Sequence, residues 1–218
     1  MTTFWTDPHN AMAWARGDAQ TDVLALPRTI AADIVARDRP EARHVVDVGS
    51  GPGAFLAHFL RALPNAAGRW LDVSDAMMAL ARDNLREFGD RVEYAIGDMT
   101  DLSTLPSDVD AIITSRASHH LDRDGLQAFY RDAAGHLAPG GWLVNLDHTG
   151  PDEAWNTRLR ASRKALVPRV GESTPHHHTY PLTSIDDHMS ALADAGFTDV
   201  GIPWRAFVTV LFMARRGV

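Results

Sequence analysis

The sequence has no cysteine, which removes disulfides, thiolate metal sites and a cysteine nucleophile together. It has a single lysine, Lys164, so arginine carries nearly all of its positive charge. No apolar run approaches the roughly 20 residues a membrane span needs. The N-terminal stretch MTTFWTDPHNAMAWARGD lacks an apolar core flanked by basic residues. The expectation is a cytoplasmic protein with no membrane partner. Blocks of like charge are missing too. The formal net charge is -7, which disfavours a nucleic-acid partner. The densest basic stretch, Arg158 to Arg169, is interrupted by apolar residues at helical spacing and reads as a solvated helix face.

What is present is an ordinary globular composition, 45% apolar and 22% charged over 218 residues, enough for one well-buried core. Apolar runs alternate with helical patterns. HVVDV, RWLDV, RVEYAIGD, DAIITS and GGWLVNLDH read as strands, with helices between them, among them SDAMMALARDNLREFG, which starts at Ser74 and stops at Gly89. That rhythm predicts an α/β fold with a Rossmann-like, doubly wound, mostly parallel seven-stranded sheet in three α/β/α layers. The ending FTDVGIPWRAFVTVLFMARR breaks the rhythm and predicts an antiparallel terminal hairpin linked near Arg205. The chain reads as a single domain over 1–218. Residues 1–40 form an N-terminal helical cap, and residues 151–182 an insertion or lid over the active site.

The stretch VVDVGSGPGAF places glycines 49, 51 and 53 directly after the first strand. Such a loop lets a ligand approach the backbone closely. Gly49, Gly51 and Ala54 satisfy a dinucleotide pattern, and Asp72 stands at about the distance of a ribose-binding acid, so NAD is one reading. A pyrophosphate, however, needs backbone N–H donors, and Pro52 removes one in mid-loop. A ligand with an adenosine but no phosphate does not require it.

DVGSGPG, with Asp47, Gly49, Gly51 and Gly53, resembles the first motif of the class I S-adenosylmethionine-dependent methyltransferases. LDVSDAMMALA resembles their second motif, IGDMTDL the segment after the third strand, DAIITSRASHHL the fourth-strand motif, and LAPGGWLVNLDH the fifth. The resemblance implies S-adenosylmethionine as cofactor and S-adenosylhomocysteine as product. It implies that Asp72 binds the ribose hydroxyls beside Val73, that Met77 packs on the adenine, that Asp98 and Met99 meet the adenine edge, and that Ser115 lies near the amino-acid end. It implies a methyltransferase acting on an oxygen or nitrogen of a small-molecule acceptor. The alternatives are an NAD-dependent oxidoreductase and a protein that binds the cofactor without turning it over.

Methyl transfer asks chiefly for positioning, with a base where the nucleophile carries a proton. Ligands lie beyond the carboxyl ends of the strands, which points to Arg116, His119 and His120 after the fourth strand and Asp147 and His148 after the fifth. His148 is the leading base and His119 the second; the competing reading of the pair His119–His120 is that it starts and caps the next helix. Arg116, His120, Trp14, Trp155, His176 and His178 are the candidate substrate contacts. A metal at His176 and His178 is not expected, since no acid stands beside them at ligand spacing.

Overall fold

A computed structural model describes residues 2–19, 24–167 and 181–218. The chain opens with helices α1 (Thr2–Thr6), α2 (Pro8–Ala19) and α3 (Ala25–Asp38). Pro27 falls in the first turn of α3, where a missing N–H costs nothing. Strand and helix then alternate through β1 (His44–Val48), α4 (Ala54–Ala62), β2 (Ala67–Asp72), α5 (Asp75–Asn84), β3 (Val92–Ile96) and β4 (Val109–Ser115). They continue through α6 (Arg123–His136), β5 (Leu137–His148), α7 (Glu153–Leu166), α8 (Ile185–Asp194), β6 (Phe197–Ala206) and β7 (Thr209–Arg216).

The seven strands form one sheet in the order β3-β2-β1-β4-β5-β7-β6. β1 to β5 pair in parallel, while β7 runs antiparallel between β5 and β6. The order reverses between β1 and β4, and in an open α/β sheet a ligand crevice opens at that switch.

Period-2 alternation splits each strand between two apolar cores. Val45 of β1 joins Phe55, Phe59 and Trp70 on one face, whereas Val46 and Val48 join Leu126, Phe129 and Phe212 on the other. The expected architecture is present, with one displaced boundary. The hairpin turns at Phe207 and Val208 rather than near Arg205, because β6 runs through Pro203 by shifting register between Gly201 and Trp204. Pro203 tolerates this on an edge strand, where one N–H needs no partner. Among the described residues, no helix is long and apolar enough to cross a membrane.

Candidate active site

Beyond β1 the backbone passes through Gly49, Gly51 and Gly53, all at positive φ. At Gly49 (φ 66°) a Cβ would also lie 2.5 Å from the Cβ of Ala117, so only glycine fits. The N–H groups of Gly49 and Ser50 both donate to Leu71 O, at 2.8 and 3.1 Å, and Trp70 Nε1 donates to Gly51 O at 2.8 Å. These bonds pin the loop to the end of β2.

Asp47 sits beneath the loop rather than on its ligand side. Its Oδ2 accepts from Ser50 Oγ (2.6 Å) and Leu56 N (3.2 Å), and burial pushes its carboxyl up to about 7 against those bonds. Gly53 is likewise structural: it precedes α4 in a left-handed conformation, and its missing Cβ leaves room for Leu85. Of the loop residues expected to meet a cofactor, Gly49 and Gly51 line a cavity and Asp47 and Gly53 support it.

That cavity holds about 340 Å³ at the switch between β1 and β4. Asp72 and Val73, at the end of β2, lie on its wall with Met77; Asp98 and Met99, after β3, lie beside them; Ser115 and Arg116 close it at the end of β4. Asp72 accepts from Gly51 N (2.8 Å) and Ser74 N (3.0 Å), and burial raises its carboxyl above the ordinary value against those bonds. Asp98 accepts from the backbone and hydroxyl of Thr100, at 3.0 and 2.9 Å. Ser115 Oγ is buried on this wall with no hydrogen-bond partner, which is the condition of a group that a ligand satisfies. The sequence reading missed Trp5 from α1 and Arg28 from α3, which also line the cavity. Arg28 is an arginine 6% exposed, set among apolar neighbours on α3, and a buried cation is the one signal that marks it.

The histidines separate sharply. Ser118 to His120 form a single 3-10 turn after β4. His120 lines the cavity, with its ring edge-on to Trp5 at 5.5 Å. His119 is buried behind it, the two rings 4.2 Å apart, and holds Asp147 Oδ1 through Nδ1 at 2.6 Å. Asp147 is fully buried and also accepts from Ser118 Oγ (2.7 Å), His119 N (2.9 Å) and His148 N (2.7 Å). Burial opposes its charge, yet the His119 imidazole and these donors hold its carboxyl well below the usual range. His148, expected as the base, is off the cavity wall and shares a 3.0 Å hydrogen bond with Thr209. Burial and the neighbouring His119, Arg116 and Arg163 push its imidazole down to about 3 against the pull of Asp147.

The polar chain continues into the sheet. Asn145 Nδ2 donates to Ser118 Oγ and to Tyr130 Oη, both at 2.8 Å. Tyr130 Oη lies 2.6 Å from His188 Nδ1, and His188 Nε2 lies 3.0 Å from Thr183 Oγ1. Only one proton order satisfies all of these contacts. Ser118 donates to the ionised Asp147, so it accepts from Asn145; Tyr130, accepting from Asn145, donates to His188 Nδ1. His188 is therefore neutral, with its proton on Nε2.

Burial lowers the His188 imidazole to about 4, from an ordinary 6.5. Its folded-state value is depressed, so its contribution to stability is complete above about pH 6.5 and is lost as the pH falls. The loss is about 2 kcal/mol by pH 5. Asp47 acts in the opposite sense, since its raised carboxyl favours the folded state at lower pH. Melting temperatures of wild type and His188→Gln from pH 8 to pH 5 isolate the histidine, and the variant is expected to show a shallower acid-side decline. Parallel curves would refute the buried neutral imidazole.

Of the remaining candidates, Arg116 lines the cavity at φ 53°, a strained conformation for arginine. Its N–H donates to Leu146 O at 3.0 Å. Such strain costs about 1–3 kcal/mol and persists only where surroundings fix it. Trp155, on α7, is 55% exposed and faces a second, more open hollow beside Arg205 and Phe207. The Trp14 side chain, His176 and His178 lie outside the described residues. Among the described residues, no three His, Asp or Glu side chains gather as a metal site.

Residues 45–141 match the family described as the methyltransferase domain. The chain is 37% identical over 106 residues to a dTDP-4-amino-2,3,4,6-tetradeoxy-D-glucose N,N-dimethyltransferase of Saccharopolyspora spinosa, covering 48% of this chain and 40% of that protein. It is 32% identical over 104 residues to a trans-aconitate 2-methyltransferase of Mycobacterium tuberculosis, covering 47% and 36%. The chain thus spans about two fifths of the length of these curated relatives. Among solved structures, an O-methyltransferase family protein from Burkholderia thailandensis superposes with a TM-score of 0.70 at 22% identity, covering 99% of this chain and 64% of that one. DesVI of Streptomyces venezuelae superposes at 0.64 with 21% identity, covering 87% and 90%. These two share the fold.

Proposed function

We propose that this chain, whose residues 45–141 match the methyltransferase-domain family and whose seven-stranded sheet is that of the class I S-adenosylmethionine-dependent methyltransferases, is itself such an enzyme. In this reading it moves a methyl group to an oxygen or nitrogen of a small molecule. The observation that carries the reading is the pair of carboxylates, Asp72 and Asp98, at the ends of neighbouring strands on one cavity wall. They stand beside a glycine loop interrupted by Pro52.

The residues present fit the cofactor. Asp72 would accept from the two ribose hydroxyls, and Asp98 from the adenine amino group, with Met99 and Met77 against the ring. Ser115 Oγ, buried and unpartnered, would meet the amino-acid end, and the buried guanidinium of Arg28 would face its carboxylate. Gly49 and Gly51 leave room for close approach. Bound S-adenosylmethionine supplies an electrophilic methyl group on a sulfonium.

The chain's own contribution is placement and exclusion of water. Arg116 and His120 line the cavity after β4 and are the proposed acceptor contacts. Where the acceptor has a proton to lose, His120 is the imidazole on the cavity wall. His119, tied to Asp147, fixes the 3-10 turn that carries His120. His148 is too weakly basic to retain a proton near neutral pH. The helical cap, residues 1–40, contributes Trp5 and Arg28, and the insertion at residues 151–182 begins as α7.

Calorimetric titration with S-adenosylmethionine, S-adenosylhomocysteine and NADH tests the reading. Micromolar binding of the first two without the third is expected. Binding of NADH alone would overturn it in favour of a hydride carrier.

A further inference from the structure

The second hollow, of about 630 Å³, shares no lining residue with the cavity. Its floor is the end of β5, where the chain meets the hairpin turn and the start of α8. Thr149 N donates to Val208 O at 2.7 Å, Gly150 N donates to Thr183 O at 2.9 Å, and a Cβ at Gly150 would overlap Leu182 O. Three elements are thereby tied around one depression. Its apolar lining comes from Trp155 and Leu159 of α7, Ile185 of α8 and Phe207 of the turn. From the cavity wall at His120 the rings of His119 and His148 follow at 4.2 and 5.4 Å, and the next residue, Thr149, lines the hollow. Two imidazole rings therefore stand between the two spaces.

The fold alone does not account for two of the lining side chains. Trp155 is 55% exposed on a helix with no buried residue, and Arg158 lies over its ring at 5.5 Å. The indole is thus steadied by its own helix rather than by the core. Phe207 opens the two-residue turn between β6 and β7 at φ 54°, where glycine is the usual residue and a phenylalanine is strained. The side chain is only half-buried, so packing gives the strain little offset. Residues held in this way gather at ligand clamps.

We propose that the hollow is a second binding site, separate from the cavity, for a planar aromatic small molecule whose ring packs on Trp155 and Phe207. Ring stacking favours a flat ligand beyond the apolar area it buries. Arg205 and Asp186 on the rim offer a guanidinium and a carboxylate to polar substituents. With both signs present, the site recognises the ring rather than a net charge.

Protein-observed NMR titration with naphthol and with decahydronaphthol, the same skeleton saturated and puckered, tests this. A Kd of about 1 mM is expected for naphthol, at least about threefold tighter than for decahydronaphthol. Burial of apolar area alone would favour the saturated compound, which has more of it.

Trp155→Ala, at an exposed position, is expected to weaken naphthol binding about tenfold. Phe207→Gly is expected to weaken it too while leaving Tm no lower than in wild type, because glycine relieves the turn. A phenylalanine kept for packing alone would instead lower Tm on removal and leave binding unchanged. Saturating S-adenosylhomocysteine is expected to leave naphthol bound. Preference for decahydronaphthol, unchanged naphthol affinity in Trp155→Ala or in a folded Phe207→Gly, or displacement of naphthol by S-adenosylhomocysteine would each overturn the proposal.

Discussion

Asp72→Ala is expected to abolish cofactor binding, raising the Kd for S-adenosylhomocysteine by about three orders of magnitude. Two hydrogen bonds from ribose hydroxyls to one carboxylate are each worth about 1.5–3 kcal/mol, and 1.4 kcal/mol is a factor of ten. The same carboxylate accepts from Gly51 N and Ser74 N, so its removal also frees the glycine loop from the start of α5. Asp72→Asn separates the two roles, because its remaining oxygen keeps one backbone contact while the charge is gone. An intermediate loss is expected there. Calorimetry with a parallel melting curve makes the measurement, and near-normal affinity in a folded Asp72→Ala would mean that the cavity does not hold the cofactor as proposed.

The second large effect concerns Asp147, which touches no part of the cavity wall yet anchors what does. Asp147→Ala leaves Ser118 Oγ, His119 N, His119 Nδ1 and His148 N without their shared acceptor in a dry interior. Breaking a buried pair from one side costs about 3–5 kcal/mol, and for a chain of this size that lowers Tm by about 10–15 °C. Asp147→Asn keeps one acceptor oxygen and should lose less. A Tm within 2 °C or so of wild type for the alanine variant would show that the network does not support the fold.

The alternation of strands and helices was readable because each apolar run is bounded by turn residues, and alternation alone brings the ends of β1, β2 and β3 together. Gly49 and Asp72 were legible as a motif at those ends, and Asp98 joined them through the resemblance of IGDMTDL to the methyltransferase segment after the third strand. Arg28 and Trp5 were not readable, since which face of α1 and α3 covers the cavity depends on packing rather than on periodicity.

The paired histidines were alike on paper. A 3-10 turn rotates successive side chains by about 120°, so one faces the cavity and its neighbour faces Asp147. Asp47 was misplaced for a related reason. Period-2 alternation puts it on the α4 side of β1 with Val45, beneath the loop it was expected to front. The displaced hairpin turn has a different origin: β6 continues past Arg205 because the edge strand absorbs Pro203 in a register shift between Gly201 and Trp204.

The single proton order of the Tyr130–His188 chain also has a spectroscopic side. His119 carries a hydrogen on Nδ1, hydrogen-bonded to a carboxylate, and His188 carries one on Nε2 facing Thr183; both rings are shut away from solvent. Imidazole hydrogens so protected exchange slowly with water, which makes them visible to proton NMR in a region free of amide signals. Each reports from a different place, one behind the cavity wall and one on the buried face of α8. The protein therefore carries two built-in beacons, by which the arrival of a ligand can be followed without a label or a known reaction.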